Sequence, residues 1–496
     1  MNRLASFLLV MAATTAAGCA THPEPVFTGL LAPLKNCRSQ YTEIDARIDA
    51  AGVRDSAFYR IPGYPYLRTD RLMASYGNEV KSINEVGGWV RRMREFDQEA
   101  REFEYSNLGL SQQEAANFRY ELQNCGRGLA AVELDDDAAI KRLAAAAQPD
   151  DDYSDVARTF GLYPLAVPLL KARIADEQQS IRAEFAKPLT ELDAPGTPVF
   201  WEAQANEDLA LIPKNLGKAS PDELGLPGLV DSAWKAIAEA NAPRLLIETG
   251  DAREQPGAPI WTAQGATVDV SKPQVNYQIG FTRFGGQSLT QIAYFAWFKR
   301  GAASPENKTA PAIDGLIWRV TLDTQGRPLV YESLRASGRD HAWFPAQPLA
   351  RRPRDGYWQE PALFPQESLA PPSPVLRLKA GEHTVRRLLA TAQGTTQSAR
   401  TYELRRYEDL YILPLPGGGT RSLFTEDGTV PGSAAPDPAW LWSSGVRNPG
   451  ALRQYGHLVT AYVGRSQFDD PFLMETVFVP PNAGAQEAES VASGSK

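Results

Sequence analysis

Three stretches in the first third of the chain place an apolar residue at every third or fourth position, the spacing of an amphipathic helix. Their apolar faces consist of Leu34, Cys37, Tyr41, Ile44, Ile48 and Ala51; of Val86, Trp89, Met93, Phe96, Ala100 and Phe103; and of Phe118, Leu122, Cys125, Leu129 and Val132. Gly52 suits the end of the first helix, and Ser111 with Glu114 forms a capping-box pattern ahead of the third. These patterns predict helices that contact one another through their apolar faces.

Helical character continues over 136–147 and again over 168–185, where Pro168 suits a first-turn position. We therefore expect a helical domain over residues 30–195. Two short acidic runs in this part lack the register of a calcium-binding loop, and the preference of helix N-termini for acids explains them better.

From about Thr197 onward, a period of two replaces the helical period. Apolar residues alternate with polar ones over 275–281, Gly285 and Gly286 permit a tight turn, and 289–298 returns as a second strand. A second hairpin is predicted at 316–322 with 329–334, and further strands are predicted at 375–378, 402–413, 422–424 and 458–463. Antiparallel hairpins of this kind predict a large sheet.

The fold class that follows is α+β, with an N-terminal helical bundle followed by a larger antiparallel β-rich domain over 196–481. At 496 residues the chain exceeds what one hydrophobic core usually supports, which agrees with a division into parts. Residues 482–496 have almost no apolar side chains, so we expect them to form a disordered tail.

The first 18 residues have the layout of a signal peptide. Arg3 supplies positive charge, 4–13 form a short apolar core, and small residues precede Cys19. The apolar core is shorter than the roughly 20 residues that a membrane-spanning helix needs. The segment 1–18 is therefore expected to direct export and to be removed.

Residues 16–19 resemble the lipobox of bacterial lipoproteins, in which the cysteine receives a lipid. The resemblance implies that Cys19 is acylated and holds the chain on a lipid bilayer, with 19–29 as anchor and linker. Ala20 after the cysteine implies an outer-membrane lipoprotein that faces the periplasm or the cell surface. Ordinary signal cleavage near the same position is the alternative.

Charge and cysteine content restrict the function classes further. The formal net charge of -8 argues against non-specific binding of nucleic acid, whose phosphates require clustered Lys and Arg. After Cys19, only Cys37 and Cys125 remain, an even pair on two inward helix faces in an exported chain. A disulfide between them is predicted, and two buried free thiols are the alternative.

Candidate chemistry rests on few residues, because the chain has four histidines. The most site-like cluster is 338–341, which ends in Asp340 and His341 and follows a predicted strand that contains Glu332. These three side chains could form an acid–base site. No metal site or cofactor is predicted, because a zinc site usually shows two ligands at close fixed spacing. A structural histidine in a polar loop is the alternative.

Segments 61–76, 314–344 and 462–471 resemble uncharacterised proteobacterial lipoproteins. The resemblance implies export and a shared fold but assigns no activity. We therefore expect a non-enzymatic envelope lipoprotein that binds an unknown partner protein or ligand through its β-rich domain, with Trp297, Trp318 and Trp343 near the contact. The alternative function is an envelope hydrolase centred on His341, which would act either with or without the assistance of a metal ion.

Overall fold

The structure of the chain is a computed structural model. It describes residues 32–192, 196–204, 216, 219–248, 251, 254–300, 312–391, 399–434 and 439–481. The predicted signal peptide at 1–18, Cys19, the predicted linker and the segment 482–496 lie outside the described residues, so the expectations for them stay predictions. The α+β fold class is confirmed, because helices form most of the N-terminal part and a large sheet follows.

The described N-terminal helices over 32–51, 83–108, 112–133 and 137–146 begin and end close to the predicted positions, whereas those over 71–76 and 155–160 were not predicted. In chain order the N-terminal helices are α1 Ala32–Ala51, α2 Arg71–Tyr76, α3 Ile83–Leu108, α4 Gln112–Glu133, α5 Asp137–Ala146, α6 Asp155–Phe160 and α7 Tyr163–Ala186. Ser111 and Glu114 form the predicted capping box on α4. Tyr41, Trp89 and Leu129, one from each predicted apolar face, are buried in one shared core. Val132 is the exception, since it is 47% exposed.

The predicted start of α7 is wrong. The helix begins at Tyr163, so Pro168 lies inside it and Pro164 occupies the first turn. Pro168 has no N–H to donate to the carbonyl of Pro164, one turn earlier. The Tyr357 hydroxyl donates to that carbonyl instead, at 2.5 Å, and this contact lets the helix continue through a proline.

A disulfide joins Cys37 on α1 to Cys125 on α4, and their Cα atoms lie 5.3 Å apart. Beside it, the Tyr41 hydroxyl donates to the Leu122 carbonyl at 2.8 Å. The pairing of the two inward cysteines agrees with the predicted disulfide rather than with two free thiols.

A short antiparallel hairpin that the periodicity did not predict, β1 Tyr59–Ile61 and β2 Tyr64–Thr69, contacts α3. Arg68 on β2 is fully buried there. Its guanidinium donates to both carboxylate oxygens of Glu104 at 2.8 Å and to Asp97 at 3.2 Å. Asp97 also accepts from Arg101 at 2.9 Å. The hairpin is thus held on α3 by a buried network of ion pairs.

The remaining elements follow in chain order. They are β3 Pro198–Ala203, α8 Asp231–Ala240, β4 Arg244–Glu248, β5 Ala258–Thr262, β6 Gly265–Asp269, β7 Gln274–Phe284, β8 Gln287–Lys299, β9 Ile313–Leu322, β10 Pro328–Arg335, β11 Ala342–Pro345, β12 Ala350–Arg351, β13 Val375–Leu378, β14 Val385–Leu389, β15 Arg400–Arg406, β16 Leu413–Pro414, β17 Thr420–Arg421, α9 Leu473–Val477 and β18 Phe478–Val479. Ten of these strands form one sheet in the order β11-β10-β9-β8-β7-β15-β3-β4-β13-β14.

The expectation of a purely antiparallel sheet is wrong. Strands β7 to β10 form the predicted hairpins. However, β15 pairs in parallel with both β7 and β3, and β13 pairs in parallel with β4. The predicted strand over 402–413 ends at Arg406 and continues as a 3₁₀ helix, and 422–424 and 458–463 form no strand beyond an isolated bridge at Val459. Parallel partners are distant in sequence, so no local turn signals them.

Both faces of the sheet are covered. Phe185 of α7 and Ile237 of α8 belong to the core on one face, and Tyr407 and Phe468 from the C-terminal segment belong to the core on the other. Every residue of β9 is buried, as expected for a strand between two layers. Among the described helices, none combines the length and the apolar character required to cross a membrane.

Candidate functional site

Two of the three predicted acid–base residues meet in the structure. Glu332 on β10 is fully buried, and its carboxylate lies 2.9 Å from Nε2 of His341, just before β11. Arg319, directly opposite Glu332 on β9, donates to the same carboxylate through Nε at 2.7 Å and Nη2 at 2.6 Å. Cross-strand register therefore creates an Arg–Glu–His chain of contacts, of which Arg319 was not predicted.

The chain of contacts fixes the protonation of its members. Burial alone would raise the pKa of Glu332, but Arg319 and His341 outweigh burial and lower this pKa. Burial lowers the pKa of His341 despite the adjacent carboxylate, so the imidazole is neutral at pH 7. A neutral His341 donates from Nε2 to Glu332, and its Nδ1 then carries a lone pair without a hydrogen-bond partner among the described residues.

The third predicted residue, Asp340, does not join them. Its carboxylate accepts from Nε of Arg335 at 2.8 Å across a tight turn. Asp340 has a left-handed backbone with φ of 60°, and Gly338 in the same turn has φ of 88°. A Cβ on Gly338 would lie 2.1 Å from the Val459 carbonyl oxygen, so the turn requires glycine there.

His341 and Asp340 line a small cavity of about 60 Å³ against α7. Glu360 lines it too, accepts from the backbone N–H groups of Tyr462 and Val463 at 2.7 and 3.2 Å, and has its pKa raised by burial to about 7. The cavity has room for a few water molecules, far less than the roughly 300–1,000 Å³ of ligand pockets. The cavity thus contains an oriented base but offers little space for a substrate. What supports the hydrolase hypothesis is the contact between Glu332 and His341.

The other two described histidines also have carboxylate partners that the sequence did not indicate. His383 lies 3.1 Å from Asp314 and 3.0 Å from Glu254, and His457 lies 3.2 Å from Asp152. In both cases burial opposes protonation, but the hydrogen bonds and charges of the partners outweigh it and raise the pKa. The described residues contain no group of three or more His, Cys, Asp or Glu side chains placed to hold a metal ion.

The three tryptophans expected near a partner contact are core residues. Trp297, Trp318 and Trp343 have at most 2% of their surface exposed. They lie on β8, β9 and β11, in the strands covered on both faces. Burial on both sides of the sheet keeps them from solvent, so these side chains do not form the exposed aromatic surface near a partner contact that the sequence led us to expect.

A much larger cavity, which we name the central cleft, lies between the helical part and the sheet. Its volume is about 910 Å³. Helices α2, α3 and α8, strand β7 and the segment 403–411 form its walls. Half-buried aromatic side chains in the lining include Tyr59, Trp234, Phe281 and Tyr455, and the Trp234 and Phe281 rings meet edge to face with centroids 5.9 Å apart.

Charged side chains also line the central cleft, and the acidic ones outnumber the basic ones. Nine acidic and six basic side chains line it. All six basic side chains have a carboxylate within 3.7 Å, as in the pairs Arg71–Asp469 at 3.2 Å and Arg405–Glu403 at 2.9 Å. Each basic side chain of the lining is therefore already paired with a carboxylate of the protein itself.

Four acidic side chains of the cleft form no ion pair with a cation of the described residues. They are Asp70, Glu99, Asp409 and Asp222, and the Asp222 carboxylate accepts from the backbone N–H groups of Leu224 and Leu226 at 2.9 Å instead. Burial and the neighbouring Asp469 raise the pKa of Asp70 to about 6, although its Oδ1 accepts from the Met73 N–H at 2.7 Å as the N-cap of α2. Burial and the nearby Glu408 raise the pKa values of Glu99 and Asp409. In each case burial is the largest cause of the raised pKa, and a neighbouring carboxylate adds to it.

Sequence reasoning missed this cleft because its walls come from segments up to about 400 positions apart, and each charged residue alone resembles an ordinary surface position. No family model matches the chain, and searches of curated proteins and of solved structures found no match either.

Proposed function

We propose that this chain is an acylated envelope lipoprotein, held on the outer membrane through Cys19, that binds a positively charged polar ligand in the central cleft. The proposal for the cleft is carried by one observation. Asp70, Glu99 and Asp409 face a cavity of about 910 Å³ in which every lining cation already has a carboxylate partner.

The size and the lining both support a ligand. The volume lies at the upper end of the roughly 300–1,000 Å³ range of small-molecule pockets. A cation bound near the three carboxylates would compensate their charge, and the half-buried Trp234 ring in the lining would contact apolar or cationic groups of a ligand. A ligand of this chemistry is an amine-bearing molecule or a short basic peptide segment.

Binding of a cationic probe should strengthen as the pH rises from about 5 to about 7. Asp70, with its pKa of about 6, must lose its proton before it attracts a cation, and binding would release that proton. Tetralysine is a suitable probe, measured by calorimetric titration at several pH values. Asp70→Asn should weaken tetralysine binding at pH 7 by roughly threefold to tenfold and flatten the pH dependence.

Asparagine caps helices as well as aspartate does, so Asp70→Asn removes the charge while α2 keeps its N-cap. Asp136→Asn is the matched control, because Asp136 caps α5 in the same way, accepting from the Ala139 N–H at 2.6 Å, and lies outside the cleft. Tetraglutamate serves as the probe of opposite charge. Equal binding of both peptides, or an equal effect of both substitutions, would contradict the proposed cation site.

The anchor is tested separately by the mass of the mature N-terminus. We expect residues 1–18 to be absent and Cys19 to carry a diacylglycerol, with or without a further acyl chain. Each buried methylene contributes about 0.8 kcal/mol, so two or three acyl chains hold a protein on a bilayer. In a Cys19→Ser variant the acyl mass should disappear, and an unmodified N-terminus on the natural sequence would refute the anchor.

A further inference from the structure

Helices α6 and α7 present an apolar face to solvent. Five side chains on it are more than half exposed: Val156 at 66%, Phe160 at 68%, Leu162 at 61%, Leu165 at 76% and Leu169 at 54%. The opposite side of α7 is also apolar, since Tyr163, Val167, Leu170 and Ile174 form a buried cluster with Val463. A helix that is apolar on both sides normally has both sides covered.

Three exposed aromatic residues extend this face at its edges. Trp358 stacks on Tyr163 with ring centroids 5.7 Å apart, and Tyr357 donates to the Pro164 carbonyl, so both lie along α7. Trp442 belongs to the 3₁₀ segment 439–444, which packs against α6 and α7. These aromatic side chains are 49%, 50% and 53% exposed in chain order. We name the eight residues the outer patch.

The outer patch is held in a fixed shape. The Arg158 guanidinium lies over the rings of Tyr153 and Tyr163, at 4.7 and 4.5 Å, and donates to the Ser444 carbonyl at 2.7 Å. Leu162, in the turn between the helices, has a left-handed backbone with φ of 48°. A leucine in this conformation costs free energy, and burial of its side chain within the chain does not offset that cost, because the side chain is 61% exposed. Isolated exposed apolar residues are common, but a group of this size on two neighbouring helices and the segments packed against them is typical of a contact surface.

We propose that the outer patch is a membrane-contact surface, which lies in the boundary between the headgroups and the acyl chains of the bilayer that carries the anchor. Its chemistry fits that boundary, with Leu, Val and Phe at the centre and Trp and Tyr at the edge, where amphipathic rings are favoured. None of the eight side chains carries a charge.

The length of chain ahead of α1 favours a bilayer over other occupants. This step rests on the proposed anchor at Cys19. The thirteen Cα-to-Cα steps from Cys19 to Ala32 span at most about 45 Å when the chain is fully extended. A folded chain of this size has a radius of gyration of about 22 Å, so an anchored body would always remain close to the membrane surface. At that effective concentration, even a weakly binding apolar patch would be occupied by lipid.

The test uses the purified protein on vesicles of phosphatidylethanolamine and phosphatidylglycerol with brominated acyl chains. Bromine quenches tryptophan fluorescence at short range, and the patch should insert by roughly 5–10 Å. We expect the tryptophan fluorescence of the bound natural protein to be quenched. The quenching should be at least halved in a Leu165→Asp/Leu169→Asp variant and also in a Trp358→Phe/Trp442→Phe variant. Ile83→Asp/Val230→Asp is the matched control, because these residues are 91% and 69% exposed outside the patch.

Different results separate this inference from the anchor. Unquenched tryptophan in vesicle-bound protein of confirmed acylation would refute the patch and leave the anchor intact. Quenching that depends on Leu165 and Leu169 would support the patch even if the natural mature N-terminus proves unacylated, and that mass result alone would refute the anchor. A dimer in sedimentation that the double Asp variant abolishes, without quenching, would assign the patch to a second copy and overturn the proposal. The Leu165→Gln/Leu169→Gln variant repeats the test if the Asp variant fails to fold.

Discussion

Replacing Arg68 with methionine is expected to lower the free energy of unfolding by about 3–5 kcal/mol. Arg68 is fully buried and compensates two carboxylates, those of Glu104 and Asp97, which are themselves buried. Methionine fills a similar volume but leaves a carboxylate pair in a medium of low polarity with Arg101 as the remaining buried cation. The measurement is urea unfolding followed by circular dichroism. Because whole domains have stabilities of roughly 5–15 kcal/mol, a loss of this size is easily detected.

Arg91→Met is the control for this substitution. Arg91 on α3 also pairs with a carboxylate, that of Glu223 at 2.8 Å, but both side chains are more than a third exposed. Exposed pairs contribute at most about 1 kcal/mol, so the control should unfold nearly as the natural protein does. An Arg68→Met/Glu104→Gln variant should recover part of the loss, since the buried charge is then removed. Equal losses for Arg68→Met and Arg91→Met would show that the network does not stabilise the fold.

Removing the disulfide should have an effect of similar size, about 4–5 kcal/mol for a Cys37→Ala/Cys125→Ala variant. The two cysteines are 88 positions apart, and a crosslink across so long a loop strongly restricts the unfolded chain. The urea midpoint of the natural protein should therefore fall on addition of dithiothreitol. The double variant should start near the reduced value and should not respond to the reductant.

The double variant also separates the crosslink from other effects of the reductant. Cys37 and Cys125 are buried at the contact of α1 and α4, so their replacement with alanine also removes a small amount of apolar burial. That loss appears equally with and without dithiothreitol. A midpoint of the natural protein that is insensitive to dithiothreitol would mean that the crosslink does not contribute to stability.

The sequence predicts the helices well because their information is local. The periodic faces that contain Tyr41, Trp89 and Leu129 are buried as predicted, and the Ser111 capping box is present. Val132 is not buried as predicted. It lies in the last turn of α4, where the apolar spacing continues but none of the described elements covers the side chain. The predicted helix start at Pro168 is wrong because the carbonyl of Pro164, which Pro168 cannot bond, accepts from Tyr357. Tyr357 is almost 200 positions away, so no local pattern shows this contact.

For the sheet and the candidate sites too, the sequence predicts local contacts and misses contacts between distant segments. The hairpins of β7 to β10 follow from alternation and turn residues, whereas the parallel insertion of β15 between β7 and β3 depends on segments more than 120 positions apart. Glu332 and His341 were paired correctly because they are nine positions apart at a hairpin. Arg319 requires the register of β9 against β10, and the central cleft requires the whole tertiary fold.

The position of the disulfide has a mechanical consequence. Cys37 is the sixth residue of α1, so any pulling force applied through the N-terminal segment enters the folded body almost at the crosslink. The force then passes covalently to α4 instead of peeling α1 away turn by turn. Terminal helices are usually the first elements to open under load. Helix α1 instead shares the tension with α4, so a pull on a chain anchored as proposed would load both helices together.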